Sequence, residues 1–222
     1  MKTVNDILEY SLEHNLSHIP SALSQFSYLK YILSELKDFK IVIGKPFGAQ
    51  AYYVIWEDMY KLPKKLGYGI KHEELDFIEY GEETLGNALG VATGIAICQD
   101  KHVYCNISDG CLQMGATLEA IQYIGFHKPK ILLTIDINEF QLTGKTTDIL
   151  GTGYDKIRKM FEIYNWNVLD FNENININKI IFPSVILCKT KKGEGVKEME
   201  NNPKYWHYKQ ITKGFLNATT TN

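Results

Sequence analysis

One uninterrupted stretch, Asn106 to Gly144, constrains the fold more than any other part of the 222-residue chain. It opens at the end of an apolar run, His102 to Ile107, that reads as a buried strand. Ser108-Asp109-Gly110 then turns the chain, and Gly110 lets the backbone approach a ligand closely. Met114 to about Phe126 is helix-like, and Lys130 to Asp136 is a second apolar strand that delivers Asn138 into a second loop. Strand, helix and strand in that order are the unit of a parallel sheet. Two parallel strands end on the same side. The spacing therefore predicts Asp109 and Asn138 next to one another at the carboxyl ends, where open α/β sheets bind ligands.

A carboxylate, an amide oxygen and a loop carbonyl form a hard oxygen set suited to Mg²⁺ or Ca²⁺. Water and substrate phosphates complete such a set, so a diphosphate is the natural third party. The N–H groups of Gly110 and Cys111, near a helix start, favour the same anion. Asp, Gly and Asn are also ordinary turn residues. Taken alone, the pair fits two loops of no special role better than a ligand site.

The same alternation runs along the chain. Helical spacing is expected over Val4 to Glu13, Ser21 to Leu36, Ala49 to Tyr60 and Tyr154 to Tyr164. Strands are expected over Lys40 to Ile43, Trp166 to Phe171 and Phe182 to Lys189. Leu62 to Glu82 and Asn172 to Lys179 read as loops, Thr146 or Thr147 as the cap of a short turn, and Ala218 to Asn222 as a frayed polar tail. Leu85 to Cys98 is a helix rich in glycine and alanine. Interior glycines weaken a helix by about 1 kcal/mol each, so their presence predicts close approach, either to the sheet or to a bound cofactor. The result is an α/β fold, a parallel sheet with helices on both faces, in a single domain over 1–222 with a helical N-terminal segment.

With a formal charge of -2, no basic field recruits nucleic acid or an anionic membrane. Arg158 is the only arginine, so bidentate arginine clamps on phosphate are nearly unavailable from this chain. The four cysteines lack C-x-x-C spacing, which argues against a structural zinc. The first residues lack the apolar core of a signal peptide, and no apolar run reaches the roughly 20 residues of a membrane span. A cytoplasmic protein is expected.

The Asp109-Gly110 element, Glu119-Ala120 in the following helix, and the strand ending Asp136-x-Asn138 resemble the thiamine diphosphate motif of the transketolase family. Three further segments are similar to that family in the same order. They are Ser17 to Ser24, Thr84-Leu85-Gly86-Asn87-Ala88-Leu89-Gly90, and Lys189 to Val196 followed by Met199 to Pro203 and Trp206-His207. The resemblance implies that Asp109, Asn138 and the Phe140 carbonyl hold Mg²⁺ against the diphosphate of thiamine diphosphate. It implies cofactor contacts from Thr84, Leu85, Gly110, Cys111 and His207. It places His18 and His207 on the substrate side, and Glu119 in a carboxylate network between subunits, the three forming the catalytic set.

The chain departs from the family at three places. Phe47 stands near a family histidine, Met114-Gly115 stands where the family has Glu-Gly, and another family histidine is matched by Ile70 or displaced to His72. The resemblance covers only the diphosphate-binding half, and implies a pyrimidine-domain partner chain in a two-plus-two heterotetramer. The expected function is a transketolase-like subunit moving a two-carbon or acyl unit from a ketose or α-keto donor to an aldehyde or ketone, with a sugar as the expected acceptor. The alternatives are a thiamine-dependent α-keto acid decarboxylase or ligase subunit, and a non-catalytic subunit that kept the fold.

Overall fold

The computed structural model describes residues 2–63, 69–70, 75–142 and 144–220. The elements, in chain order, are α1 (Val4–Glu13), α2 (Ile19–Glu35), β1 (Phe39–Ile43), α3 (Gln50–Trp56), β2 (Tyr80–Gly81), α4 (Ala88–Gln99) and β3 (His102–Ser108). There follow α5 (Gly115–His127), β4 (Ile131–Ile137), the short hairpin β5 (Phe140–Gln141) and β6 (Gly144–Lys145), α6 (Thr146–Leu150) and α7 (Tyr154–Ile163). β7 (Asn167–Asp170), β8 (Ser184–Lys189), α8 (Lys197–Asn201) and α9 (Lys213–Thr220) complete the chain.

Six strands form one sheet in the order β2-β1-β3-β4-β8-β7, and every pairing in it is parallel. Side chains alternate between its faces, as the pleat requires. Val103, Cys105, Ile107, Leu133, Ile135, Val185 and Leu187 join the core under α4, α5 and α7. Tyr104, Leu132, Ile186 and Cys188 join the core under α1, α2 and α3. Burial on both faces explains why the strands read as near-continuous apolar runs.

The second face also carries polar residues toward its carboxyl end. Asn106 accepts from Tyr28 Oη at 3.0 Å and Thr134 Oγ1 at 2.8 Å, and donates to Gln25 Oε1 at 3.2 Å. Gln25 in turn donates to the carbonyl of Gly48 at 2.9 Å. Buried polar groups are tolerated when satisfied in this way. The network ties β3 and β4 to α2 and to the loop after β1. Gly48 has φ +92°, and a Cβ there would meet the backbone nitrogen of Ala22 at 2.6 Å, so glycine is what lets that loop press on α2.

Several expectations shift. The helix after Ala49 ends at Trp56, the glycine-rich helix starts at Ala88, and Thr146 is the first residue of α6 with Lys145 before it. The C-terminal residues expected to fray are helical as far as Thr220, because α9 lays Phe215 and Leu216 on the core. The glycines of α4 do not press on the sheet. Ala88, Ala92 and Ala96 face inward, whereas a Cβ on Gly90 or Gly94 would meet nothing within 4 Å. His72 lies outside the described residues.

Candidate functional site

Adjacent in the sheet, β3 and β4 deliver their following loops side by side. Asp109 begins a short 3-10 turn after β3, and Asn138 follows β4 by one residue. Asp109 is 3% exposed. Its Oδ1 accepts from the N–H of Gly110 at 2.9 Å, and its Oδ2 from the N–H of Glu139 at 2.8 Å. The second bond ties the two loops together. Glu139 stands at φ +58°, a left-handed conformation that costs a non-glycine residue about 1–2 kcal/mol. His18, at the start of α2, is also left-handed, at φ +60°. Outliers of this kind gather at functional sites.

Both loops face a cavity of about 280 Å³. It is lined by Asp109, Gly110, Asn138 and Phe140, by Lys45 and Lys192, by His18, Phe47, His207 and Tyr208, and by Leu85, which lies beside Gly110. The aromatic group is compact. His18 stacks on Phe47 with ring centres 4.8 Å apart, and meets His207 edge-on at 4.8 Å and Tyr208 at 5.1 Å. The N–H of His18 donates to the carbonyl of His207 at 3.0 Å, so α2 and the segment after α8 hold each other.

The electrostatics follow from burial. Burial pushes Asp109 up to about 7, and the charge of Asp136 adds to the effect against the opposing pull of Lys192 and Lys45. Burial lowers Lys192 to about 8, with Lys45 adding to the effect. Burial, then His207 and Lys192, lowers His18 to about 4; burial and Lys192 lower His207 to about 4. Asp136 goes the other way: although burial opposes it, Lys45 holds its carboxyl below the usual range.

The two histidines give a pH prediction. An unfolded histidine titrates near about 6.5. Between there and the folded values the unfolded chain binds more protons. The stability contributed by these neutral rings is present above about 6.5 and is lost as pH falls to about 4. Urea midpoints of the wild type should therefore fall more steeply over that window than those of His18→Asn/His207→Asn. Asparagine suits this test because it tolerates the left-handed backbone at position 18. Parallel curves would refute the assignment.

Of the residues singled out in the sequence, His18, Leu85, Asp109, Gly110, Asn138, Phe140 and His207 line this cavity. Thr84, Cys111 and Glu119 do not. Thr84 is exposed on the turn before α4. Cys111 is buried behind the loop, with Sγ 3.5 Å from the carbonyl oxygen of Gly44. Glu119 is exposed on α5. Among residues given no role from the sequence, the buried Lys45 and Lys192 line the cavity, and the buried Asp136, outside the lining, is bonded to Asn138 and Lys45. The available signal was Asp136, a carboxylate inside the largely apolar strand Ile131–Ile137, since buried carboxylates are rarely left unpaired.

The donor set suits a hard cation. A carboxylate offers about four lone-pair sites. Asp109 uses three on Gly110, Glu139 and the Thr146 hydroxyl, leaving one. Among the described residues no group of three or more His, Cys, Asp or Glu converges. The oxygens at Asp109, Asn138 and Phe140 thus need outside ligands, such as phosphate oxygens and water.

Known proteins resemble this chain in sequence and in fold. Residues 66–203, more than half of the chain, match the family described as transketolase, thiamine diphosphate binding domain. The chain is 33% identical to one subunit of the apulose-4-phosphate transketolase of Actinobacillus succinogenes, over 69% of this chain and 58% of that one. It is 27% identical to the transketolase of Rattus norvegicus, over 78% of this chain and 31% of that one. It therefore spans about half, or less, of the length of these relatives. Its fold superposes on the Campylobacter jejuni transketolase with a TM-score of 0.78 at 19% identity, covering 98% of this chain and 40% of that one. The chain belongs to the transketolase family and carries its thiamine diphosphate-binding domain.

Proposed function

We propose that this chain is the diphosphate-binding subunit of a transketolase-like transferase, which works with Mg²⁺ and with a second chain that binds the aminopyrimidine. The observation that carries the reading is the shared cavity of Asp109, Asn138 and Phe140, an oxygen set short of ligands beside two buried lysines. Asp109, the Asn138 amide oxygen and the Phe140 carbonyl would hold the metal. The Gly110 N–H and Lys192 would meet the diphosphate, and Leu85 would lie against the rings. Thiamine diphosphate, when bound, supplies an electron sink for a two-carbon or acyl unit moving between carbonyl compounds. His18 and His207, neutral at neutral pH, can accept a proton or donate a hydrogen bond to substrate oxygens.

The partner reading has its own support. α4 packs on α5, and each helix leaves one side exposed. Gly90 and Gly94 leave room for a close approach, while Ile97, Tyr123 and Phe126 are 49%, 47% and 81% exposed. Exposed apolar residues on two packed helices, beside glycines that admit a close approach, are in keeping with a docking face. Glu119 lies on the same helix, α5, and is exposed. The Actinobacillus relative is named as one subunit of its enzyme, which is in keeping with a two-chain assembly. We assign the complex as two plus two.

Mixing the chain with its partner, Mg²⁺ and thiamine diphosphate should give transfer activity that disappears when either chain or the cofactor is omitted. Activity from this chain alone would sink the split-subunit reading. A second reading, an α-keto acid decarboxylase or ligase subunit, is favoured by one feature. Phe47 presents an apolar ring at the substrate end and can neither move a proton nor stabilise an alkoxide. Simple ketose phosphates should therefore be poor donors, and Phe47→His should raise their kcat/KM by about tenfold or more. Wild-type turnover at a typical enzyme rate of about 10 s⁻¹ would show that Phe47 does not restrict them.

A further inference from the structure

Asp136 lies inside β4, fully buried, two residues before Asn138. Four donors converge on its carboxylate from four parts of the chain. Oδ2 accepts from Ser24 Oγ at 2.7 Å, from Asn138 Nδ2 at 2.8 Å and from Lys45 Nζ. Oδ1 accepts from Thr190 Oγ1. Lys45, buried in the loop after β1, also donates to the carbonyl of Ser21 at 2.9 Å and to Ser24 Oγ at 3.2 Å.

The consequence falls on Asn138. A primary amide has a donating side and an accepting side, and little in its own shape chooses between them. An ionised carboxylate only accepts. Asp136 therefore takes the NH₂ side of Asn138 and leaves Oδ1 on the other side, where it accepts from the N–H of Phe140 at 3.0 Å. That is the side of the amide a cation needs. Lys45 keeps the carboxylate charged and occupies the same oxygen as the amide. A buried ion pair is a poor source of net stability, and well-packed apolar substitutes often match or exceed it. Its placement beside Asn138 thus calls for a reason other than holding the fold.

We propose that Lys45 and Asp136 are positioning residues for the metal–diphosphate site: the buried pair fixes which face of the Asn138 amide meets a hard divalent cation. The inference rests on the reading of Asp109 and Asn138 as metal ligands. It assigns to Lys45 a role in orienting the amide through Asp136.

The test uses the full chain and titrates thiamine diphosphate with Mn²⁺, following water-proton relaxation, beside thermal unfolding without metal. Lys45→Met/Asp136→Leu should unfold within a few degrees of the wild type yet bind the metal–cofactor pair at least tenfold more weakly. Asp136→Asn, nearly the same shape, should lose a similar factor, and it decides the matter if the double variant fails to fold. Thr190→Val removes a donor to Oδ1 without touching the amide, and should change affinity by less than about twofold. Wild-type affinity in the Asp136 variants would overturn the inference. So would a loss in Thr190→Val as large as theirs, because the cluster would then serve only the fold. Asp109→Ala separates the two levels. If it binds normally, the metal reading itself fails; if it loses binding while the Asp136 variants keep it, only the positioning inference fails.

Discussion

Asp109→Ala is expected to abolish metal-dependent binding of thiamine diphosphate, with affinity falling by a factor of about one hundred or more. Asp109 is the one carboxylate among the three proposed metal ligands, so its loss removes the formal charge that balances the cation. Two further consequences make this result specific. The side chain also accepts from the N–H of Glu139, so the 139–142 loop loses its tie to the turn after β3. Yet the metal-free chain should not be much weakened. Burial and the neighbouring Asp136 disfavour the charged form of Asp109 and push it up to about 7, so removing it relieves a strained ionisation. Calorimetric titration beside thermal unfolding should therefore separate lost binding from retained stability. Asn138→Ala should act in the same direction with a smaller loss, since a neutral ligand goes. Unchanged cofactor affinity in Asp109→Ala would remove the main support for the site.

A second large effect is expected at the outer face of α4. Gly90→Leu/Gly94→Leu should stabilise the isolated chain and break its assembly. A Cβ at either position meets nothing within 4 Å, so the leucines fit in the free chain. Replacing an interior helix glycine by a good helix former gains about 0.5–1 kcal/mol per site. In the assembled enzyme the same side chains would stand where another backbone approaches, and overpacking a closed contact costs about 1–3 kcal/mol per site. Light scattering should find the variant free of its partner at concentrations where the wild type forms the proposed two-plus-two complex, and transfer activity should vanish with the complex. A variant that still assembles and works would place the partner elsewhere.

Much of the fold was legible because buried parallel strands and the helices between them leave strong, separate patterns. Ile131–Ile137 is buried throughout and apolar at five of its seven positions, and α1 was expected at the bounds it has. The cofactor loops were legible because turn chemistry and carboxylates are both visible as letters. What stayed hidden depends on three dimensions. The side of α4 that faces the sheet cannot be read from a helix with small residues on every side, so Gly90 and Gly94 were expected to press on something. Lys45 and Asp136 are 91 residues apart in sequence, and nothing in either neighbourhood announces the other. Lys192 lies in a segment whose lysines look alike, yet it is buried in the cavity whereas Lys191 is more than half exposed and pairs with Glu200. Thr84, Cys111 and Glu119 share segments with true lining residues, and sequence proximity alone does not carry a side chain into a cavity.

The most direct test is a crystal of the complex grown with thiamine diphosphate and Mn²⁺, with anomalous data collected for the metal. The account predicts one peak per copy of this chain, with Asp109, the Asn138 amide oxygen and the Phe140 carbonyl within about 2.2 Å and diphosphate oxygens completing an octahedral shell. It also predicts the Gly110 N–H on the diphosphate and the aminopyrimidine held by the partner chain. A diphosphate bound elsewhere, or bound here with the metal away from Asp109 and Asn138, would contradict it.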